Sequence, residues 1–263
     1  MSDREGSLDG GRLFFQVWEA DQPRADVVLA HGYAEHSGRY EHVAARLVQA
    51  GLTVWALDHQ GHGKSQGERG DILSWDHAVA DLDLLVDEVK AAGEGRPTFL
   101  VGHSMGGAIS LAYAEAHQAR LAGLSLSAPA IVIPPEMLAL VELEDIPALP
   151  LADVVSTDPD VVQAYKDDPL VYLGAPPRNL LVVMGTVDPI LAGLPELTLP
   201  IQVMQGSSDF LIPTQALRAV VAGVTSTDLT ARIWPGLFHE IFNEPIKDDV
   251  LGELAGWITG RLG

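Results

Sequence analysis

The stretch Pro97–His117, PTFLVGHSMGGAISLAYAEAH, reads as a strand, a sharp turn and a helix in direct succession. An apolar run typical of a strand ends at Gly102, and an alanine- and leucine-rich run typical of a helix follows Met105. Between them, Gly102–Gly106 spells G-x-S-x-G. Its glycines let the strand and the helix approach closely and leave a serine hydroxyl exposed at the helix amino terminus. The stretch therefore predicts Ser104 as a nucleophile.

A second copy of the pattern, Gly63–Gly67 (GKSQG), lacks this setting. Glycines continue on both sides of Ser65 and no helix begins immediately, so we predict that this serine lies in a loop. The same letters include the GKS of a phosphate-binding loop, but G-x-x-x-x-G-K-S requires glycine at the position of Asp58. The sequence thus favours a single nucleophilic serine and disfavours a nucleotide site.

On both sides of the opening stretch, β-branched strands alternate with helical patterns, which predicts a mostly parallel sheet flanked by helices. Strands are predicted in residues 12–20, 25–32, 51–58, 121–130, 199–209 and 229–236, and helices in residues 39–50, 75–93, 213–223 and 246–261. From about Ile131 to Leu199 the chain is rich in proline and acidic residues and has no clean period. We therefore predict a single α/β domain over residues 1–263, with an inserted cap of short helices at approximately residues 131–198.

Composition limits the partners of the chain. Its 263 residues are 47% hydrophobic and carry a formal net charge of −20, which would repel nucleic acid and anionic lipid alike. The absence of cysteine excludes disulfides and thiol nucleophiles. The acidic start, MSDREGSLDGG, is unlike a signal peptide, and no apolar run is long enough to span a membrane. We expect a soluble protein that is cytoplasmic or peripherally membrane-associated.

A nucleophilic serine needs a histidine base and a carboxylate that orients it. On a strand–turn–helix of this kind they follow in the order serine, acid, histidine. His117 lies too far along the helix that begins at Ser104, which leaves His239 as the base. Two aspartates remain as the acid, Asp188 after LLVVMG and Asp209 after IQVMQG. Asp209 has the better position, one strand–helix–strand unit before the histidine.

Several longer motifs carry a resemblance to a known family. They are HGYAEHSGRY, LDHQGHGKSQGERG, VGHSMGGAISLAYA, LSAPA, DPDVVQAYKDDPLVY, PIQVMQGSSDFLIP and PGLFHEIFNEP. With them the chain resembles the monoacylglycerol lipase and lysophospholipase branch of the α/β-hydrolases over nearly its whole length. The resemblance implies the α/β-hydrolase fold and a triad of Ser104, Asp209 and His239, with a structural role for the GHGKSQG loop. The chain departs from the family at Gln205 and Gln60, where histidine and arginine are usual.

The resemblance also implies an activity. A serine hydrolase of this branch cleaves the ester bond of monoacylglycerols, small neutral lipids, to fatty acid and glycerol through an acyl-enzyme. The oxyanion would be held by the backbone amides of Met105 and of Tyr33, in the loop after the strand LAHG. This chemistry needs no metal or cofactor. The alternatives are a lysophospholipase or general carboxylesterase with the same triad and, from another class, a non-catalytic ligand-binding protein on this fold.

The predicted cap is the region from which substrate selectivity is expected. Five of its residues are candidates for the acyl pocket or the glycerol end: Ile131, Met137, Leu138, Val141 and Tyr165. The apolar residues are able to line an acyl tunnel or to touch a micelle or membrane transiently, but for each residue taken singly we favour packing of the cap onto the sheet. Tyr165 lies in a segment that resembles the family, and both a glycerol contact and a structural hydroxyl remain open for it.

Overall fold

The computed structural model describes residues 1–262, which contain one eight-stranded sheet flanked by helices. In this part of the chain the strands are β1 (Arg4–Leu8), β2 (Leu13–Trp18), β3 (Ala25–Ala30), β4 (Leu52–Leu57), β5 (Thr98–His103), β6 (Gly123–Ser127), β7 (Ile201–Gly206) and β8 (Leu229–Trp234). The helices are α1 (Glu41–Gln49), α2 (Trp75–Ala92), α3 (Met105–His117), α4 (Pro135–Leu138), α5 (Pro159–Asp167), α6 (Arg178–Met184), α7 (Asp188–Gly193), α8 (Gln215–Gly223) and α9 (Lys247–Thr259). Short 3-10 turns connect several of them.

The sheet is mostly parallel, as the alternation of strands and helices predicts. Its order is β1-β2-β4-β3-β5-β6-β7-β8, and only the pairings of β2 with β1 and with β4 are antiparallel among the described strands. From β3 the chain moves to β4 on one side, and it then returns to β5 on the other side. At this point Ala30 pairs with Gly102, so the carboxyl ends of β3 and β5 lie side by side. Ligands of open α/β sheets bind in the crevice at such a reversal.

Both faces of the sheet are covered by helices, which explains why its inner strands are apolar throughout rather than alternating. Successive residues of β5 belong to different apolar clusters: Leu100 is in the cluster that includes Leu82 of α2, whereas Phe99 and Val101 are in the cluster that includes Leu254 of α9. The central strands are thus held from both sides, and the loops at their carboxyl ends are built on a rigid support.

The helix predicted from residues 75–93 is observed almost unchanged. It begins at Trp75 because the side chain of Ser74 accepts a hydrogen bond from the amide of His77 and caps the first turn. Val86 and Val89, on one face of this helix, are fully buried. This face of α2 therefore packs into the core.

Residues 128–200 form an inserted segment between β6 and β7, and they contain α4 to α7. Part of the segment is tied to the loops that follow β3 and β4. The amide of Tyr172 donates to the carbonyl of Ala34 at 2.8 Å, and the side chain of Asn179 donates to Asp71 at 2.9 Å. These bonds place the segment beside the carboxyl edge of the sheet.

Candidate active site

Ser104 occupies the turn between β5 and α3. Its backbone has φ 53° and ψ −118°, a conformation that a residue with a side chain rarely adopts. The turn is over-determined: the Ser104 amide donates to the carbonyl of Ser127, and the Ser104 carbonyl accepts from the amide of Ala130, both at 2.9 Å. The strained turn places Ser104 at the carboxyl edge of the sheet, where it lines a cavity.

Gly106 shows why this turn requires glycine. A Cβ atom there would lie 2.2 Å from the carbonyl oxygen of Ala30, in the neighbouring strand β3. A side chain at this position would therefore push the start of α3 away from the sheet. The glycine lets the helix begin directly against the carboxyl end of β3, which brings the first amides of α3 close to the loop at Gly32.

The second G-x-S-x-G lies in a loop, as predicted. The hydroxyl of Ser65 accepts a hydrogen bond from the amide of Phe14 at 2.8 Å and donates one to the carbonyl of Asp58 at 2.5 Å. Ser65 is buried, and Lys64 forms an ion pair with Glu5 at 2.9 Å. Both polar side chains of the GKS triplet are therefore used in holding the loop to the amino-terminal strands.

His239 and Asp209 are joined by a hydrogen bond of 2.8 Å between Nδ1 of the imidazole and Oδ2 of the carboxylate. The other oxygen, Oδ1, accepts from the amides of Leu211 and Ile212, each at 2.9 Å. Three donors thus fix the carboxylate in one orientation. Because Nδ1 faces Asp209, the opposite ring nitrogen, Nε2, is left for the reaction.

Gln205, one of the two departures from the family, lies next to this carboxylate. Its side-chain nitrogen donates to the carbonyl of Ile212 at 2.6 Å and lies 3.4 Å from Oδ2 of Asp209. The glutamine thus braces the loop whose amides hold the aspartate. At the following position, a Cβ on Gly206 would lie 2.2 Å from the carbonyl oxygen of Phe238, so glycine lets the histidine loop pack against the end of β7.

The electrostatics of the pair favour an ionised aspartate beside the histidine. Burial lowers the pKa of His239, but the charge of Asp209 and its hydrogen bond outweigh burial and hold that pKa above its usual value. Burial raises the pKa of Asp209, and the charge and hydrogen bond of His239 together with two backbone amides hold it below its usual value. The carboxylate therefore stabilises the protonated form of the imidazole, which a general base becomes during the reaction.

Asp188, the other candidate acid, is exposed in the first turn of α7, within the inserted segment. In the described part of the chain its side chain makes no hydrogen bond to a histidine. The structure thus brings Asp209, and not Asp188, to His239.

Two backbone amides near Ser104 are candidates for holding an oxyanion. The amide of Met105 is the first of α3, and the amide of Tyr33 lies in the loop after β3; neither donates to another group within residues 1–262. The preceding amide, of Gly32, donates to Oε1 of Glu35 at 2.6 Å, which fixes the path of the loop. A helix start and a loop amide in this arrangement can bind a developing oxyanion.

A cavity opens over Ser104 and His239 between the loops at the carboxyl edge and the inserted segment. The loops supply its polar residues, and most of the apolar ones come from the inserted segment and from the loop after Asp209. The lining comprises Gly32, Tyr33, Glu35, His103, Ser104, Met137, Leu149, Leu151, Val155, Tyr165, Pro176, Leu180, Leu181, Met184, Leu211, Ile212, His239 and Glu240. The charged lining residues and Ser104 lie at the carboxyl edge of the sheet, a part of the cavity that we call its polar end, and most of the remaining wall is apolar.

The candidates in the inserted segment divide into two groups. Met137 and Tyr165 are among the lining residues, whereas Ile131, Leu138 and Val141 are not. Ile131 is fully buried in the core beneath the segment, and Leu138 packs against the same core. They lie outside the cavity because they attach the segment to the sheet. The structure therefore supports the packing interpretation for these two.

Sequence reasoning missed most of the lining residues. Leu180, Leu181 and Met184 follow one another on one side of α6 at helical spacing, which is a readable signal within RNLLVVM. Leu211 and Ile212 lie directly after Asp209, so the same loop that orients the acid also supplies apolar wall. The amides of Leu211 and Ile212 therefore hold Asp209, while both residues also line the apolar wall of the cavity.

Three histidines, His31, His59 and His62, form a buried cluster beneath the loop of Tyr33. The rings of His31 and His59 lie 4.5 Å apart and those of His31 and His62 5.5 Å apart, between centroids. Burial lowers the pKa of His59 to about 3 and that of His62 to about 4. All three are therefore neutral at pH 7, and protonating any of them would place a charge in a closed interior.

This cluster predicts a loss of stability on mild acidification. A buried histidine with a lowered pKa contributes fully above the unfolded pKa of about 6.5, and its contribution falls as the pH drops below that value. For His59 and His62 the loss at pH 5 is about 2 kcal/mol each, at about 1.4 kcal/mol per pH unit. Urea unfolding at pH 7 and pH 5 measures the difference, and His59→Asn should reduce it by about 2 kcal/mol. Equal free energies of unfolding at the two pH values would contradict the prediction.

Within residues 1–262 no group of three or more histidine, cysteine, aspartate or glutamate side chains is arranged to hold a metal ion. Among the same residues, no helix combines the length and the apolarity that a membrane crossing requires.

A strained serine between a parallel strand and a helix, followed along the chain by a paired aspartate and histidine, defines the α/β-hydrolase class. The family described as serine aminopeptidase, S33 (Hydrolase_4) matches residues 21–246. The chain belongs to this family and, within it, to the monoacylglycerol lipase branch of carboxylic ester hydrolases. The resemblance found in the sequence is thereby confirmed.

Individual relatives match along almost the whole chain. A monoacylglycerol lipase of Mycolicibacterium smegmatis is 40% identical, over 97% of this chain and 95% of that protein. Human monoglyceride lipase is 33% identical, over 97% of this chain and 89% of that protein. The crystal structure of the Paleococcus ferrophilus monoacylglycerol lipase superposes with a TM-score of 0.83 at 29% identity, covering 95% of this chain and 99% of that one. The predicted fold class, α/β-hydrolase, is confirmed.

Proposed function

We propose that the protein hydrolyses monoacylglycerols to fatty acid and glycerol, with Ser104 as nucleophile, His239 as base and Asp209 as the acid that orients it. The observation that carries the proposal is the hydrogen bond of 2.8 Å between His239 and Asp209 in the wall of the cavity that also exposes Ser104. The relatives that share this chain's length and family are named as lipases of monoacylglycerols.

The first chemical step is acylation of the serine. Nε2 of His239 takes the proton of the Ser104 hydroxyl as its oxygen attacks the ester carbonyl, and Asp209 stabilises the imidazolium. The amides of Met105 and Tyr33 donate to the tetrahedral oxyanion, and neither must first break a protein hydrogen bond. His239 then returns the proton to the departing glycerol oxygen.

The second step is deacylation. Water enters the place that glycerol has left, and His239 takes its proton as the water oxygen attacks the acyl carbonyl. Collapse of the second oxyanion releases the fatty acid and restores the Ser104 hydroxyl. The residues of this chain suffice for each proton transfer.

The proposed cap explains why a single acyl chain is the substrate. We propose that residues 131–198 act as this cap within one domain, and that its apolar side chains hold the acyl chain. All five apolar residues that follow belong to the cap. Leu149, Leu151 and Val155 line the cavity from the part before α5, and Leu180 and Met184 line it from α6. Apolar walls of this kind bind an alkyl chain through burial, at about 0.8 kcal/mol per methylene.

Fatty-acid release from matched substrates tests this function. With one acyl chain throughout, we expect kcat/KM to be highest for the monoacylglycerol and lower for the diacylglycerol, the lysophosphatidylcholine and the methyl ester. The polar end of the cavity can accept a small neutral alcohol, and a second acyl chain or a phosphocholine group adds bulk there. Equal or faster turnover of the lysophospholipid would instead identify a lysophospholipase. Equal or faster turnover of the methyl ester would identify a general carboxylesterase. A fluorophosphonate probe that labels no residue would mean that the protein only binds its ligand.

We propose further that the cap touches a micelle or a membrane surface through apolar contact. Val182, on α6 of the cap, is 52% exposed, and Phe210, outside the cap in the loop after β7 and next to the cavity residue Leu211, is 66% exposed. Such contact adds a local supply of substrate at the mouth of the cavity. Running the same assay below and above the critical micelle concentration should show a rate that rises at the transition, and a rate that stays flat would remove the contact from the proposal.

A further inference from the structure

The polar end of the cavity contains two buried carboxylates that the proposed mechanism does not use. Glu35 lies in the loop that follows β3, and Glu240 follows His239 directly; both line the cavity and are only 2% and 5% exposed. Burying a carboxylate without a partner costs free energy, so we expect each of the two to have charged or hydrogen-bonding partners.

Arg39 lies between the two carboxylates. One of its terminal nitrogens donates to Glu35 at 2.9 Å and to Glu240 at 2.6 Å, and the other donates to Glu240 at 2.8 Å. The guanidinium also stacks over the ring of Tyr165, 4.5 Å from its centre. We call Glu35, Arg39 and Glu240 the acidic cluster.

The cluster carries one uncompensated negative charge. Although burial opposes ionisation, the charge and hydrogen bonds of Arg39 lower the pKa of Glu240 to about 2, so this group is ionised at neutral pH. Burial and the charge of Glu240 raise the pKa of Glu35, but its oxygens accept three hydrogen bonds, from the amide of Gly32 and the hydroxyl of Tyr40, both at 2.6 Å, and from Arg39. Among the described residues its side chain contacts donors only, which is the pattern of a carboxylate, because a buried carboxylic acid would need an acceptor for its proton. Two carboxylates face one guanidinium.

No lysine or arginine lines the cavity within residues 1–262. The charge of the cluster is therefore not neutralised from the opposite wall. Asp209, two residues before the lining residue Leu211, adds a further negative charge on the far side of His239. The field at the polar end is negative before any substrate binds.

The departing alcohol of an ester must lie at this end. Its oxygen receives the proton held by Nε2 of His239, and Glu240 is the next residue along the chain. The acyl chain occupies the apolar walls. The group attached to the alcohol oxygen is thus the part of the substrate nearest to the acidic cluster.

We propose that the acidic cluster selects the charge of the leaving group: esters of uncharged alcohols are substrates, and esters whose alcohol carries an anionic group are rejected. The inference rests on the proposed function, because it assigns the polar end to the leaving group. A unit charge at about 7 Å and an effective dielectric of about 20 changes kcat/KM by roughly 50-fold.

The test uses three esters of one fatty acid that differ only at the alcohol: glycerol, glyceric acid and methyl glycerate. Glyceric acid is close to glycerol in size but carries a carboxylate, which is ionised at pH 7, and its methyl ester removes the charge while adding bulk. With the unmutated protein we expect kcat/KM for the glycerate ester to be at least tenfold below that for the methyl glycerate ester. Similar values for these two esters would overturn the proposal.

Glu240→Gln locates the effect. Glutamine keeps the size of the side chain and can still accept from Arg39, but it leaves the cluster neutral. We expect the ratio of kcat/KM for the glycerate ester to that for the methyl glycerate ester to rise about tenfold, whereas a purely structural role would lower both rates and leave the ratio unchanged. Glu144→Gln is the matched control, because Glu144 is exposed in the inserted segment and should not alter the ratio.

The outcomes separate this inference from the proposed function. Poor turnover of the monoacylglycerol together with a large difference between the two glycerate esters would remove the substrate assignment and keep the charge selection. Good turnover of the monoacylglycerol with similar values for the two glycerate esters would keep the substrate assignment and remove the charge selection. If Glu240→Gln fails to fold, the ratio of the two esters with the unmutated protein still decides.

Discussion

Ser104→Ala is expected to lower kcat for monoacylglycerol hydrolysis by about 10⁵- to 10⁶-fold, because no other group in the site can form the acyl-enzyme. The residual rate would come from the oxyanion amides and from binding alone, as in triad hydrolases whose serine has been removed. KM should change little, since the cavity walls are untouched. Fatty-acid release under saturating substrate measures the effect, and circular dichroism confirms that the variant is folded.

Ser65→Ala is the matched control, because Ser65 is the middle residue of the second G-x-S-x-G. Its hydroxyl satisfies the amide of Phe14 and the carbonyl of Asp58, and alanine would leave both without a partner. The expected result is a loss of about 1 to 3 kcal/mol in the free energy of unfolding, with acylation by a fluorophosphonate probe retained. Loss of labelling in Ser65→Ala and its persistence in Ser104→Ala would reverse the assignment of the nucleophile.

The two serines also show how far a sequence pattern reaches. The five letters are the same around both, and what separates them is the context: an apolar strand before Ser104 and a helix after it. The sequence contains both signals, so the sharp turn at Ser104, the parallel sheet and the helix over residues 75–93 could be predicted. The order of the triad leaves His239 alone among the histidines, and the structure places it in a hydrogen bond with Asp209.

Other features depend on contacts that no local pattern carries. Strand β1, Arg4–Leu8, was missed because it is a largely exposed edge strand whose sequence REGSL has no apolar alternation. The acidic cluster joins Arg39 to Glu240 across 201 positions of sequence. Neither residue is unusual by itself, and only the return of the chain from β8 to the edge beside β3 brings them together.

The inserted segment illustrates a third kind of limit. Its apolar residues are similar in type, yet Ile131 is buried beneath it and Met137 faces the cavity. Whether a residue packs beneath the segment or lines the cavity depends on how the short helices are oriented. Short helices contain too few residues for the sequence to define an apolar face. The sequence predicts a cap at approximately residues 131–198, but not which of its side chains line the cavity.

Asp209→Asn is expected to lower kcat by about 10⁴-fold while leaving the fold intact. The reason lies in the donors around the carboxylate. The amides of Leu211 and Ile212 both require an acceptor at Oδ1, so the oxygen of an asparagine must take that place and its amide nitrogen must face His239. A donor opposite Nδ1 forces the proton of the imidazole onto Nε2, where it can no longer accept from Ser104.

The same substitution at Asp188 separates a catalytic effect from a general loss of charge. Asp188 begins an exposed turn of α7, so Asp188→Asn should retain the kcat of the unmutated protein. The nitrogen of Gln205, 3.4 Å from Oδ2 of Asp209, would face the amide nitrogen of the asparagine and by itself favours the rotated side chain. The two amides at Oδ1, each at 2.9 Å, oppose that rotation with two shorter hydrogen bonds, so we expect the nitrogen to stay toward His239. Retained activity in Asp209→Asn combined with inactivity in Asp188→Asn would therefore mean that the histidine takes its acid from the inserted segment during turnover. The hydrogen bond of 2.8 Å would then belong to a resting arrangement and not to the reacting one.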